Sequence, residues 1–216
     1  MQKSLRLPVF LLGIVLLGLA WSGIQPYDRL TWFLEVLPIL IAVPLLAATA
    51  RSFPLTSLAY VLIAIHCFIL MYGGHYTYAL TPLGEWMQDI FQFTRNHYDR
   101  IGHLMQGFGP AIIARELLLR TSPLRPGKWL FALVCLSILG ISAIYEFTEW
   151  WTAIASGDAA VAFLGTQGDV WDTQWDMFLA GCGAVAAQFL LERVHDRQLV
   201  QVDPSIRDKW VSEPRG

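Results

Sequence analysis

The chain has 216 residues, of which 55% are hydrophobic and only 15% charged, with a formal net charge of -2. A water-soluble domain of this size rarely carries such a composition, and the mean hydropathy of +0.48 points to an integral membrane protein. No basic patch interleaved with aromatics suits nucleic acid, so no nucleic-acid partner is expected.

The first apolar run, residues 7–24, follows Lys3 and Arg6. It has the form of a signal peptide with a tolerable cleavage site at Gly18-Leu19-Ala20, but the run continues past Trp21, which favours an uncleaved first helix. The second run covers residues 31–50, with Glu35 near its start and Pro38 and Pro44 inside, residues that a membrane helix tolerates. Glu35 suits either an interfacial position or the bundle interior. The third run, residues 55–72, has His66 at its middle, and Gly73-Gly74 is expected to end that helix. Residues 83–93 mix Trp86, Met87, Ile90, Phe91 and Phe93 with Glu85, Gln88 and Asp89, the pattern of an amphipathic helix lying at the interface.

The fourth run spans residues 98–119, and the basic loop after it holds Arg120, Arg125 and Lys128. The fifth, residues 129–151, ends with Glu146 and Glu149. A loop over 152–170 contains Asp158 and Asp169, and the sixth run covers 171–191. The expected fold is therefore an all-α integral membrane protein, a six-helix transmembrane bundle with an interfacial amphipathic helix. Residues 1–198 form the membrane domain and 199–216 a polar cytoplasmic tail. The nine tryptophans and seven tyrosines suit interfacial belts. Cys67, Cys135 and Cys182 all lie in apolar stretches without a CxxC, and read as small buried hydrophobes.

Basic residues set the orientation. With both termini in the cytoplasm, six spans leave only Arg29, Arg95 and Arg100 outside. The same topology gathers His75, His97, Asp99, His103, Glu146, Glu149, Asp169, Asp172 and Asp176 at the outer face. Asp99 and His103 share a helix face four residues apart, as do Asp172 and Asp176. Asp169 and Asp172 gain from a helix N-terminus, whereas Glu146 and Glu149 sit where the helix dipole opposes negative charge. Such a set requires a cation, protons or basic side chains.

Three outcomes stay open for it: a divalent metal site, a salt-bridge network, and an acid–base or phosphate pocket without metal. For the first, Asp99, His103, Glu149, Asp172 and Asp176 are the candidate ligands, and zinc, manganese or magnesium the candidate ions. His97, His103 and Glu146 are the candidate catalytic groups, and Arg95, Arg100 and His75 the candidate substrate-binding groups. No GxSxG, Walker or dinucleotide fingerprint is present. A haem held between His66 and His103 is a minor alternative.

Three blocks carry a resemblance: Asn96-His97-Tyr98-Asp99-Arg100-Ile101-Gly102-His103, Tyr145-Glu146-Phe147-Thr148-Glu149, and residues 168–177 from Gly168-Asp169 through Trp171-Asp172 to Asp176-Met177. Together they resemble the YjdF family of bacterial inner-membrane proteins over nearly the whole chain. That resemblance implies a small multi-span membrane protein and brings no catalytic residues with it. A weaker likeness joins Asp99-Arg100 and His103, with Glu149, Asp169 and Asp172, to the VanZ-like proteins of the cell envelope. Their asparagine before the closing helix glycines is replaced here by Asp176 ahead of Gly181 and Gly183.

The function expected is a divalent-metal-dependent hydrolase or transferase acting on a membrane lipid or lipid-linked phosphate at the outer face. The alternative is a non-catalytic membrane protein that binds a lipid headgroup, a small ligand or a partner protein. Transport is the third possibility, and the absence of a visible paired repeat makes it the weakest case.

Overall fold

The computed structural model describes residues 5–156 and 161–211, and every regular element among them is helical. In chain order these are α1 (Arg6–Ser22), α2 (Arg29–Thr49), α3 (Ser57–Tyr76), a 3-10 turn (Tyr78–Leu80), α4 (Pro82–Phe91), α5 (Tyr98–Thr121), α6 (Lys128–Ser156), α7 (Val161–Leu164), α8 (Asp172–Val202) and α9 (Ser205–Val211). Four of them, α2, α3, α6 and α8, are long and apolar enough to cross a membrane. The 17-residue α1 is apolar but reaches only about 25 Å at 1.5 Å per residue. The 24-residue α5 has the length, but Asp99, Arg100, Arg115, Glu116 and Arg120 lower its apolar character.

Two packed groups make up the bundle. Val15, Val36, Ile39, Ala64, Cys67 and Met71 join α1, α2 and α3. A larger cluster joins α5, α6 and α8 through Ala111, Ile112, Val134, Ile138, Ala180 and Ala184, and α3 adds Leu62 to it. The closest pair is α5 with α8, running parallel. A Cβ on Gly107 would overlap the Ala180 carbonyl, and one on Gly183 would overlap the Leu104 carbonyl. Glycine at both positions lets the two backbones touch.

At the far end of this seam, Glu116 and His195 are fully buried. The Glu116 carboxylate accepts from Thr56 N at 3.1 Å, Thr56 Oγ1 at 2.8 Å and Arg120 Nη1 at 3.0 Å. Arg115 Nη1 lies 2.8 Å from His195 Nδ1 and 2.6 Å from Asp196 Oδ1. A guanidinium only donates, so His195 Nδ1 accepts and its Nε2–H donates to Glu116 at 3.2 Å. Three helices are tied together there by α2–α3 loop, α5 and α8 groups.

The structure departs from the sequence expectation at three boundaries. Gly73-Gly74 does not end α3, which runs on to Tyr76 and stops where Thr77 takes a positive φ of 56°. Gly73 instead makes room for the Tyr78 ring, and Gly74 packs on Glu35 and Trp32. In the expected 152–170 loop, α6 extends to Ser156 and α7 forms at Val161–Leu164, while Asp158 lies outside the described residues. The 198/199 boundary falls inside α8. Leu199 is fully buried, and beyond it α9 seats Ile206 and Trp210 against the α5–α8 cluster. Lys209 Nζ donates to the carbonyls of Leu119 and Ser122. The charges of residues 192–197 hid this continuation, because they break the apolar run without breaking the helical period. The amphipathic helix expected over residues 83–93 forms at Pro82–Phe91, where α4 turns Leu83, Trp86, Ile90 and Phe91 outward.

Two measurements test this packing. Gly107→Val and Gly183→Val should each destabilise the detergent-solubilised protein by about 1–3 kcal/mol through overpacking. Gly13→Ala and Gly140→Ala, where a Cβ meets nothing within 4 Å, should be neutral or stabilising. Glu116→Ala should cost about 3–5 kcal/mol, because it strips the counter-charge from a buried network. A melting midpoint unchanged from wild type would remove that network from the stability of the bundle.

Candidate functional site

The site begins with the turn that starts α5. Asn96 is buried, its Oδ1 accepts from Tyr98 N at 3.0 Å, and its Nδ2 donates to Thr81 O at 3.1 Å. Its backbone pairs reciprocally with the Gln167 side chain, at 3.0 Å and 2.8 Å. Asn96 thus couples the start of α5 to α4 and to the loop before α8. Gln167, at a positive φ of 48°, was not singled out from sequence; its place in Gly165-Thr166-Gln167-Gly168 was the only signal.

At the rim, two arginines meet two aspartates. Arg95 Nη1 donates to Asp172 Oδ1 at 2.6 Å and to Asp169 Oδ2 at 3.4 Å, and its Nη2 donates to Gly165 O at 3.3 Å. Arg100 Nη2 donates to Asp169 Oδ2 at 2.7 Å and stacks over Trp175 at 5.0 Å. The Trp171 N–H, with Arg100 and Arg95, holds the Asp169 carboxyl below the usual carboxylate range. His97 stands beside this group with its ring edge-on to Phe93. Burial, then Arg100 and Arg95, push its imidazole below the ordinary histidine range.

One turn further in lies the second layer. His103 Nε2 is 3.4 Å from Asp99 Oδ1 and 3.8 Å from Asp176 Oδ1, and His103 Nδ1 is 3.2 Å from Gln106 Oε1. Two sets of potential ligands share this imidazole: Asp99, His103 and Asp176, and His103, Glu146 and Glu149. Within each set one donor atom per residue lies within 4.8 Å of the others. That spacing is close to what one ion with bonds of about 2.0–2.2 Å gathers. Asp176 Oδ1 and Glu146 Oε1 are buried without a hydrogen-bond partner.

The charges of the two layers differ. Arg95 and Arg100 offset Asp169 and Asp172 at the rim. The inner layer sets four carboxylates around one imidazole, and the nearest further cation is Arg95 Nη2, 3.9 Å from Asp99 Oδ2. Bound protons or a bound cation must make up the difference.

Of the residues chosen from sequence, Asp99, His103, Glu149 and Asp176 converge. Glu146 joins them in the position expected of Asp172, whose carboxylate is engaged by Arg95. Arg95 and Arg100 are bound up with aspartates and do not point free into the site. His75 lies elsewhere, its Nδ1 2.9 Å from Ser22 O and its ring stacked on Trp21 at 4.8 Å. Two residues not chosen complete the inner side: Tyr145 donates its hydroxyl to Glu35 Oε2 at 3.0 Å, and Glu35 is buried. A cavity of about 300 Å3 begins there and also touches His66 and His103.

Comparison with known proteins places the chain. The family described as "Predicted membrane protein (DUF2238)" matches residues 7–197. Inner membrane protein YjdF of Escherichia coli (strain K12) is 52% identical over 181 residues, covering 84% of this chain and 87% of that protein. No solved structure matches the chain. With a match over residues 7–197 and a relative this similar, the chain belongs to the DUF2238 family of membrane proteins, the family of YjdF.

Proposed function

We propose that this protein spans the bacterial inner membrane six times with both termini in the cytoplasm, and that its inner acidic layer binds a divalent cation. On this reading α1 and α5 cross beside the four apolar helices, α5 being screened from lipid by its seam with α8. The distribution of basic residues supports the orientation, since Arg29, Arg95 and Arg100 alone would lie outside. The name of the Escherichia coli relative supports the membrane.

The reaction we assign is hydrolysis or group transfer on a lipid or lipid-linked phosphate at the outer face. The observation that carries it is the shared imidazole: His103 stands between two carboxylate sets in which Asp176 Oδ1 and Glu146 Oε1 are buried and unpartnered. Carboxylate and imidazole donors suit zinc or manganese, with magnesium served by the oxygens alone. Held by Asp99, His103, Glu146, Glu149 and Asp176, such an ion would supply Lewis acidity toward a phosphoryl oxygen and toward water. His97 at the rim, its imidazole made less basic by burial and by Arg100 and Arg95, would accept a proton from water or from the attacking group. Arg95 and Arg100 meet the phosphate by exchanging Asp172 and Asp169 for it, a trade of one charge-assisted pair for another. The likeness of Asp99-Arg100 and His103 to the VanZ-like block agrees with an envelope role.

A second reading, recognition of a lipid headgroup without turnover, is favoured by one observation: Arg95 and Arg100 already donate to Asp172 and Asp169 at the rim. The two readings separate in one set of measurements. Protein purified without chelator should carry a divalent ion by elemental analysis, and folded His103→Ala and Asp176→Asn should lose it. Against a panel of phospholipids and isoprenoid-linked phosphates, wild type should turn over and stop on chelation, and His97→Ala should be slower by about 10²–10⁴-fold. Metal-free wild type at full activity would reject the ion's role, and headgroup binding with no turnover would select the second reading. For the topology, reporter fusions at both termini should register as cytoplasmic; an outward C-terminus would overturn it.

A further inference from the structure

The cavity beside the cluster has a polar mouth and an apolar depth. Glu35, Tyr145, His103 and Gln106 lie at one side, and Ile39, Ala42, Leu62, Ile63 and Ile113 line the remainder, with His66 among them. Helix register orients it. From Glu35 to Ala42 along α2 is seven residues, about 10 Å, and from His103 to Ile113 along α5 is ten residues, about 15 Å. The cavity therefore descends from the cluster through about half of a 30 Å hydrocarbon core, the depth of one leaflet.

We propose that this cavity receives a single hydrocarbon chain of the lipid whose polar head meets the acidic layer, with the hydrogen-bonded Glu35–Tyr145 pair marking the junction of chain and head. The proposal rests on the preceding reading for the identity of the head. Its volume, about 300 Å3, is at the low end for small-molecule sites, which suits one unbranched chain and not two. Apart from His66 the depth of the cavity is apolar, and an apolar wall favours no water. A chain already in the bilayer exchanges one apolar surrounding for another, so entry brings little cost or gain by itself. Selection then falls to the polar mouth, where a head drawn into the His103 layer aligns its chain with the cavity. A buried carboxylate at that point, already bonded to a phenol, discriminates between chains that bring a hydroxyl, ester or phosphate oxygen to the mouth and chains that do not.

The test uses the full chain in phosphatidylcholine nanodiscs with hexadecyl phosphate carrying a diazirine at mid-chain. After photolysis, adducts should map to Ile39, Ala42, Ile63 or Ile113. Unlabelled hexadecyl phosphate should compete, and inorganic phosphate should not. Filling the cavity with Ala42→Trp should lower these adducts about tenfold, and Ile113→Phe provides the same test should the first variant fail to fold. Adducts confined to outward-facing Phe33 or Leu45, or undiminished in a folded filled variant, would overturn the proposal. Turnover plays no part in this readout, so cavity adducts without hydrolysis would count against the hydrolase alone.

Discussion

The contact of α5 with α8 is the constraint on which the other polar features depend. Two glycines bring the backbones together, Gly107 against Ala180 and Gly183 against Leu104. Because the helices run parallel, the register is shared along their length. One turn before Gly107 stands His103, and one turn before Ala180 stands Asp176. Some two to three turns after the contact along α5, and three to four along α8, Arg115 and Glu116 meet His195 and Asp196. A single packing choice thus assembles one ionic cluster at each end. A side chain in place of either glycine would widen the seam and separate both.

The two clusters solve the cost of buried charge differently. Around Glu116 the arginines meet the acids, Arg115 on Asp196 and Arg120 on Glu116, with His195 bridging Arg115 and Glu116, so that these pairs are close to neutral. Around His103 the carboxylates exceed the cations, and two of their oxygens are left without partners. In surroundings of low polarity an imbalance of that kind is expensive. The first arrangement serves assembly. The second is ready for something to arrive, which is the physical ground for placing chemistry there.

Much of this was legible in the sequence. Long apolar runs mark helices almost without ambiguity, and residues 98–119 and 129–151 foretold α5 and α6 to within a few residues. Depth was legible too: counting along each run set Asp99, His103, Glu146, Glu149 and Asp176 at one level. Direction around the helix axis was not. His75 shares that level but faces Trp21 and Ser22, on the side of the bundle held by α1. Arg95 reads from sequence as a candidate substrate-binding side chain, yet its engagement by Asp172 spans 77 positions and depends on tertiary packing. The same holds for Tyr145 with Glu35, 110 positions apart. Gly73 resembled a helix stop because glycine often is one, and only the Tyr78 ring against it explains its use inside α3.

The charges of α5 bear on how the chain is made. A segment holding Asp99, Arg100, Arg115, Glu116 and Arg120 is poorly suited to leave the translocon for lipid by itself. Its polar partners Asp176, His195 and Asp196 lie in α8, and the ribosome delivers them only after α6 has been completed. In a six-span arrangement α5 must wait at the protein-conducting channel, or at a membrane chaperone beside it, until α8 emerges. In that arrangement the two would partition as a pair, with glycines facing and the Arg115–Asp196 pair formed. On the proposed six-span topology, synthesis of the last long helix is thereby the event that commits the fourth to the bilayer, and a ribosome that stops before residue 172 leaves a chain whose central helix has nowhere stable to go.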